Sequence, residues 1–174
     1  MVYDAIVIGA GQAGLVAGYH LQQAGLRFMI LEAGEQPGGS WPQFYDSLSL
    51  NSTARYSSLP GLLFPGQLDR YPRRDEVVAY LRSYAAHFAL PIVTGAAVAK
   101  IERAGRFFRV ITSDKGSFRA YTIIAATGFF GQPHVPNLPG QAQYQGQVLH
   151  SAHYRRPESF HRQRIVVVGG ANAA

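Results

Sequence analysis

The apolar positions change period several times along the chain, and each change predicts an element. Ala5-Ile6-Val7-Ile8 is a continuous apolar run, too short for a helix and suited to a strand buried on both faces. Apolar residues then recur at Ala13, Val16, Ala17, Leu21 and Ala24, the spacing of one helix face, and Gly25 stops the pattern. Phe28-Met29-Ile30-Leu31 predicts a second buried strand, ending on Glu32. Residues 33–74 lose periodicity and are rich in Gly, Pro, Ser and Tyr; a loop this long in a compact domain is usually functional. Helical spacing returns over residues 75–88, where Val77, Leu81, Tyr84, Ala85 and Phe88 share a face behind Asp75 and Glu76. Pro91-Ile92-Val93-Thr94 predicts a third strand, reached by a crossover helix.

The next section shortens its period. Val98 to Ile101, Phe107 to Thr112 and Ser117 to Tyr121 are separated by Ala104-Gly105 and Asp114-Lys115-Gly116, which predicts a β-meander within residues 96–121. Thr122 to Ala126 returns as an apolar strand and stops at Thr127-Gly128. The pattern is that of an α/β, Rossmann-like domain: a doubly wound parallel sheet with a small three-stranded insert. A Pro-rich linker over 129–139 and a polar connector over 140–163 follow. Ile165-Val166-Val167-Val168-Gly169 then repeats the opening, a strand run into a glycine turn that includes Ala171 and Asn172. We expect a first domain over 1–146 and, over 147–174, a connector with the start of a second nucleotide-binding domain. A strand and turn without their helix cannot bury their own face, so the sequence is expected to stop inside that second unit.

The first turn carries the chemistry. Gly9-Ala10-Gly11-Gln12-Ala13-Gly14 is a G-x-G-x-x-G set between a strand and a helix. Gly9 allows the tight turn, Gly11 lets backbone approach a pyrophosphate, and Gly14 lets helix and strand pack closely. The helix start offers N–H groups and a positive dipole end to phosphate. Glu32 lies 18 residues beyond Gly14, near the spacing of about 20 expected of an acid that binds a ribose hydroxyl. The unit by itself fits FAD and NAD equally. Ala33 and Gly34 follow, with no Arg or Lys placed for a 2′-phosphate, which argues against NADP in this first site.

Composition narrows the class. The chain is 47% hydrophobic and 15% charged, enough to bury a core. The net charge of +6 is almost wholly arginine, Lys100 and Lys115 being the only lysines. These arginines are scattered, and the densest group, Arg155, Arg156, Arg162 and Arg164, reads as a solvated connector instead of a nucleic-acid groove. There is no cysteine, so no disulfide, thiolate metal site or redox dithiol lies within these residues. Residues 5–26 carry no formal charge, but the glycines at 9, 11, 14 and 18 with Gln12, His20, Gln22 and Gln23 argue against lipid, and no basic segment precedes them. The expectation is a soluble cytoplasmic protein with neither nucleic acid nor membrane as partner. His150 and His153 lack acids or cysteines at ligand spacing, so a hydrogen-bonding role in the connector is expected in place of a metal.

Two nucleotide units with a meander and an Ala126-Thr127-Gly128 turn between them resemble the two-dinucleotide-domain flavoproteins. Within that group the chain is similar to the flavin-containing monooxygenases. Gly146, His150, Tyr154 and Arg155 fit that family's F-x-G-x-x-x-H-x-x-x-Y-K/R pattern, with Tyr144 in place of Phe. Gly38-Gly39-Ser40-Trp41 and Ser49-Leu50-Asn51-Ser52 resemble two further segments of the family. The resemblance covers the whole chain but about the first half of such an enzyme. The second fingerprint departs from it, with Ala171, Ala173 and Ala174 where glycine is commoner.

The resemblance implies an FAD- and NAD(P)H-dependent monooxygenase. Reduced flavin would capture O2 as a C4a-hydroperoxide and pass one oxygen to a small soft nucleophile, a sulfide or amine, with a ketone as an alternative. It assigns Asn51 to the flavin edge as a catalytic residue, Gly39, Ser40 and Trp41 to the ribityl-pyrophosphate side, and Val98 to adenine. Ala126, Thr127 and Gly128 would close over FAD. Gly169, Ala171 and Asn172 would receive NADPH or NADH. On the residues alone Asn51 is also a plain turn-former and Trp41 a plain core residue. A disulfide-reductase-like flavoprotein shares the layout but commonly needs a dithiol that is missing here, and a non-catalytic FAD-binding fragment is the remaining alternative. The sequence is silent on substrate identity and on whether the protein is a homodimer.

Overall fold

A computed structural model describes residues 1–129, 131 and 133–169. The strands are β1 (Tyr3–Ile8), β2 (Phe28–Leu31), β3 (Ile92–Val93), β4 (Val98–Ala104), β5 (Phe107–Thr112) and β6 (Ser117–Ala125). The helices are α1 (Gln12–Gln23), the one-turn α2 (Ala54–Ser57) and α3 (Arg74–His87). One six-stranded sheet runs in the order β3-β2-β1-β6-β5-β4. The pairs β3-β2, β2-β1 and β1-β6 are parallel, whereas β6-β5 and β5-β4 are antiparallel.

The meander is therefore not a separate insert. The two strands expected at 117–121 and 122–126 are one strand, β6, because no turn-forming residue separates Tyr121 from Thr122. Ala120 is the shared position, opposite Phe108 of β5 and Tyr3 of β1. The buried Thr112 closes the β5-β6 turn, its hydroxyl donating to the Gly116 carbonyl at 2.9 Å and accepting from the Lys115 N–H at 3.1 Å.

β1 is buried on both faces, as its unbroken apolar run requires. Ala5 and Val7 join one core with Leu15, Ile30, Val77, Leu81 and Tyr84, so α1 and α3 cover the same face. Ile6 and Ile8 join the other with Met29, Leu31, Ala96, Val110 and Ala120. The doubly wound expectation is corrected here: among the described residues no helix joins the second core, and residues of the meander contribute to it. Both crossovers advance the sheet in one direction, β1 to β2 to β3, and right-handed connections then place their helices on one side.

α1 also buries a different stripe from the expected one. Ala13 and Ala24 are exposed, and Gly14, Leu15 and Gly18 are buried. A Cβ on Gly14 would lie 1.8 Å from the Gly9 carbonyl oxygen, and one on Gly18 would lie 2.7 Å from Ile30 Cδ1. Small residues form the contact because the helix lies too close for anything larger.

α3 begins one residue earlier than predicted. Glu76 accepts from the Arg73 N–H at 2.8 Å, satisfying one donor at the helix start. Together with the nearby Arg70 guanidinium, this bond holds the Glu76 carboxyl below its ordinary value. The buried face of α3 includes Tyr80, which helical spacing did not select. Its hydroxyl accepts from the Leu59 N–H at 2.7 Å and donates to the Leu62 carbonyl at 2.6 Å, while Tyr84 donates to the Pro60 carbonyl at 2.7 Å. Each such bond contributes about 1 kcal/mol net. They give the long loop over 33–74 a fixed path despite its lack of periodicity.

The expected strand over 165–168 forms no ladder among the described residues, and Ile165 to Val168 are exposed. A strand needs a hydrogen-bonded neighbour, and none of the described residues supplies one.

Candidate functional site

β1, β2 and β6 are parallel and end level with one another, Ile8 lying opposite Leu31 and opposite Ala125. Three turns thus emerge from one edge of the sheet: the glycine turn after β1, Glu32 to Gly34 after β2, and Ala126 to Gly128 after β6. The chain leaves β1 towards β2 and returns on its other side as β6, so this edge is the switch point where α/β sheets bind ligands.

Glu32 is buried, and its carboxylate is already engaged. Oε2 accepts from the Ala10 N–H at 2.6 Å and Oε1 from the Gly34 N–H at 2.8 Å. The acid at the end of β2 therefore holds the glycine turn that follows β1. A carboxylate has about four lone-pair sites, so two bonds leave acceptor capacity unused. The other backbone group of Ala10 is used as well, its carbonyl accepting from the Gly38 N–H at 3.0 Å. Ala10 was not singled out in the sequence, because a backbone-only role leaves no side-chain signature.

The long loop returns to the same turn. Gly39 adopts φ +57, and its missing Cβ would lie 2.9 Å from Gly11 Cα. Two glycines thus meet backbone to backbone, leaving a surface with no side chains beside the start of α1. That helix start carries neither a capping side chain nor an acid in its first turn. Gln12 and Ala13 are exposed there. On the far side, the Ala126 carbonyl oxygen lies 2.4 Å from where a Gly9 Cβ would stand.

Ser40 precedes a 3-10 turn over Trp41–Gln43, and the half-buried Trp41 packs against the helical core. Its ring meets Phe44 edge to face at 5.3 Å. Val98 and Thr127 line one shallow depression of about 280 Å³ with Ile8, Ala99, Ile101 and Ala125. Thr127 and Gly128 are exposed, as is Ala33.

Two predicted site residues stand apart. Asn51 is exposed further along the loop, and its side chain makes no hydrogen bond among the described residues. Gly169, with φ +134, follows the 165–168 run, which is unpaired among the described residues; Ala171 and Asn172 lie outside the described residues.

The connector is more engaged than a solvated segment. His150 accepts from the Ala152 N–H at 3.1 Å and caps a 3-10 turn over Ser151–His153. Asp46 of the long loop donates its N–H to the Arg155 carbonyl at 2.9 Å and pairs with Arg156 at 3.1 Å. Asp46 also pairs at 2.8 Å with the largely buried Arg74. Burial works against the Arg74 charge, but hydrogen bonds to Asp75 and Asp46 outweigh it and hold the guanidinium above its ordinary value. No helix among the described residues is long and apolar enough to cross a membrane.

A family model described as pyridine nucleotide-disulphide oxidoreductase matches residues 6–174. Among curated proteins, the uncharacterized oxidoreductase CzcO of Bacillus subtilis is 36% identical over 172 residues, 99% of this chain and 50% of that protein. The probable indole-3-pyruvate monooxygenase YUCCA1 of Arabidopsis thaliana is 34% identical over 177 residues, 99% of this chain and 43% of that protein. Among solved structures, a flavin-containing monooxygenase from Stenotrophomonas maltophilia is similar with a TM-score of 0.87 and 41% identity, over 92% of this chain and 49% of that one. The chain spans about half the length of these relatives.

Proposed function

We propose that this chain, which belongs to the pyridine nucleotide-disulphide oxidoreductase family, holds FAD as part of a flavin-dependent monooxygenase that uses NADPH or NADH. The observation that carries the reading is the convergence at one sheet edge of a side-chain-free glycine surface, an uncapped helix start and the Glu32 carboxylate. A pyrophosphate needs close backbone approach and N–H donors, and a ribose needs an acceptor beside them. The residues present fit both demands.

In this reading Gly11 to Gly14 receive the pyrophosphate and Glu32 a ribose hydroxyl. Gly39, Ser40 and Trp41 flank the ribityl side, Val98 lies towards adenine, and Ala126 to Gly128 cover the cofactor. Bound FAD supplies the hard chemistry, accepting a hydride from the nicotinamide and activating O2 for insertion into a sulfide, an amine or a ketone. The protein's share is to orient that group and keep water from it. Asn51 contributes one amide, a donor and an acceptor, at the reacting edge. The glycine turn beginning at Gly169 belongs to the site for the nicotinamide nucleotide, and residues 147–174 form a connector with the start of a second nucleotide-binding domain. A disulfide-reductase reading is less well supported, because these residues hold no thiol.

The test is direct. Purified protein incubated with FAD and desalted should be yellow and retain about one flavin per chain. A colourless protein that quenches no flavin fluorescence on titration would refute the reading.

A further inference from the structure

The flavin reading gives the 41–51 loop and the connector separate tasks, yet the structure ties them at one residue. Asp46 engages its surroundings through three groups. Its N–H goes to the Arg155 carbonyl at 2.9 Å, Oδ1 to Arg74 at 2.8 Å and Oδ2 to Arg156 at 3.1 Å. The neighbouring Tyr45 ring lies 5.9 Å from Tyr154, which in turn lies 5.9 Å from Phe160. Arg74 fixes the loop side of this junction: rooted at the start of α3 and 13% exposed, it also donates to the Phe44 carbonyl at 2.6 Å.

The geometry points to Asp46 as a positioning residue that latches connector residues 154–156 onto the loop carrying Trp41 and Asn51. Arg74 orients the carboxylate from the rigid side, and Arg156 is the detachable partner, its side chain 65% exposed. A single exposed ion pair is worth little. Here the backbone bond and the aromatic contact act beside it, so the pair selects one docked position for a segment whose other hydrogen bonds, among the described residues, stay within itself. A displacement of the connector should therefore be felt at Trp41, whose ring packs on Phe44 two residues before Asp46.

Trypsin and fluorescence together test this on the whole 174-residue chain without flavin, so failure here and failure of the flavin reading are distinguishable. Trypsin cleaves after Arg155 but resists the Arg156-Pro157 bond, so removing Arg156 deletes no cleavage site. Cleavage after Arg155, read by mass and normalised to each unfolded chain, should be about two- to five-fold faster in Asp46→Asn and in Arg156→Ala. The double variant should be no faster than the faster single one. Trp41 is the only tryptophan, and its emission should shift in Arg156→Ala although that substitution lies far along the chain. Cleavage effects that multiply in the double variant, or Trp41 emission unchanged in Arg156→Ala, would overturn the latch. Should Asp46→Asn fail to fold, Arg156→Glu reverses the same charge and is expected to give the same two changes.

Discussion

The Glu32 carboxylate accepts the Ala10 N–H at 2.6 Å, so the acid ending β2 fixes the turn that follows β1. In the proposed function the same side chain would serve stability and recognition together. Replacing Glu32 by Ala strands the buried N–H of Ala10 and the N–H of Gly34, a cost of about 2–4 kcal/mol for two lost charge-assisted bonds. Urea unfolding should show that loss, and flavin titration should show weaker retention. Glu32→Gln, with one acceptor oxygen kept, should fall between. An Ala variant as stable as the parent would mean that the bond does not hold the turn.

The glycines of the turn should separate folding from binding. Gly14→Ala drives a Cβ into the Gly9 carbonyl at 1.8 Å, so it should reach or exceed the usual overpacking cost of about 1–3 kcal/mol. Gly11→Ala meets only Gly39 Cα at 3.6 Å, an ordinary contact, and should change stability by no more than about 0.5 kcal/mol. It should nonetheless weaken FAD retention if the proposed site is right, because the added methyl would then occupy the approach to the pyrophosphate. Thermal melts and flavin content of the two proteins check both halves of the statement.

Tyr84 should make the protein sensitive to alkali. Burial, with Tyr80 and Tyr19 nearby, pushes its hydroxyl up to about 12, against about 10 in an unfolded chain. The folded state keeps the proton across that window and the unfolded state releases it. The contribution is therefore complete below pH ~10 and falls as pH rises towards ~12, by up to about 1.4 kcal/mol per unit. Tyr84→Phe should flatten this decline in urea-unfolding series at several pH values. At neutral pH it should cost about 1 kcal/mol for the lost bond to the Pro60 carbonyl.

Asn51 carries the reaction-level prediction. In protein oxidising NAD(P)H under air, Asn51→Asp should raise the hydrogen peroxide released per nucleotide oxidised, since a carboxylate replaces the amide donor. Peroxide and nucleotide measured in one assay decide it, and an unchanged ratio would remove Asn51 from the reacting edge.

The sequence by itself determined the elements whose local chemistry agrees with their place in the fold. β1, β2 and the glycine turn were legible because an apolar run, a G-x-G-x-x-G set and an acid at fixed spacing each encode their own geometry. Tertiary structure decided what lies between distant segments. It merged the expected meander strand and parallel strand into β6, since Ala120 can pair on both edges at once. It chose the Gly14-Leu15-Gly18 stripe for burial in α1, because close approach rewards the absence of a side chain that hydropathy cannot score. It gave Tyr80 and Ala10 their roles through hydrogen bonds to loops that have no period to read. At the first turn the spacing of Glu32 carries only the expectation of a ribose partner, and the folded chain revealed that the carboxylate already holds the turn in place.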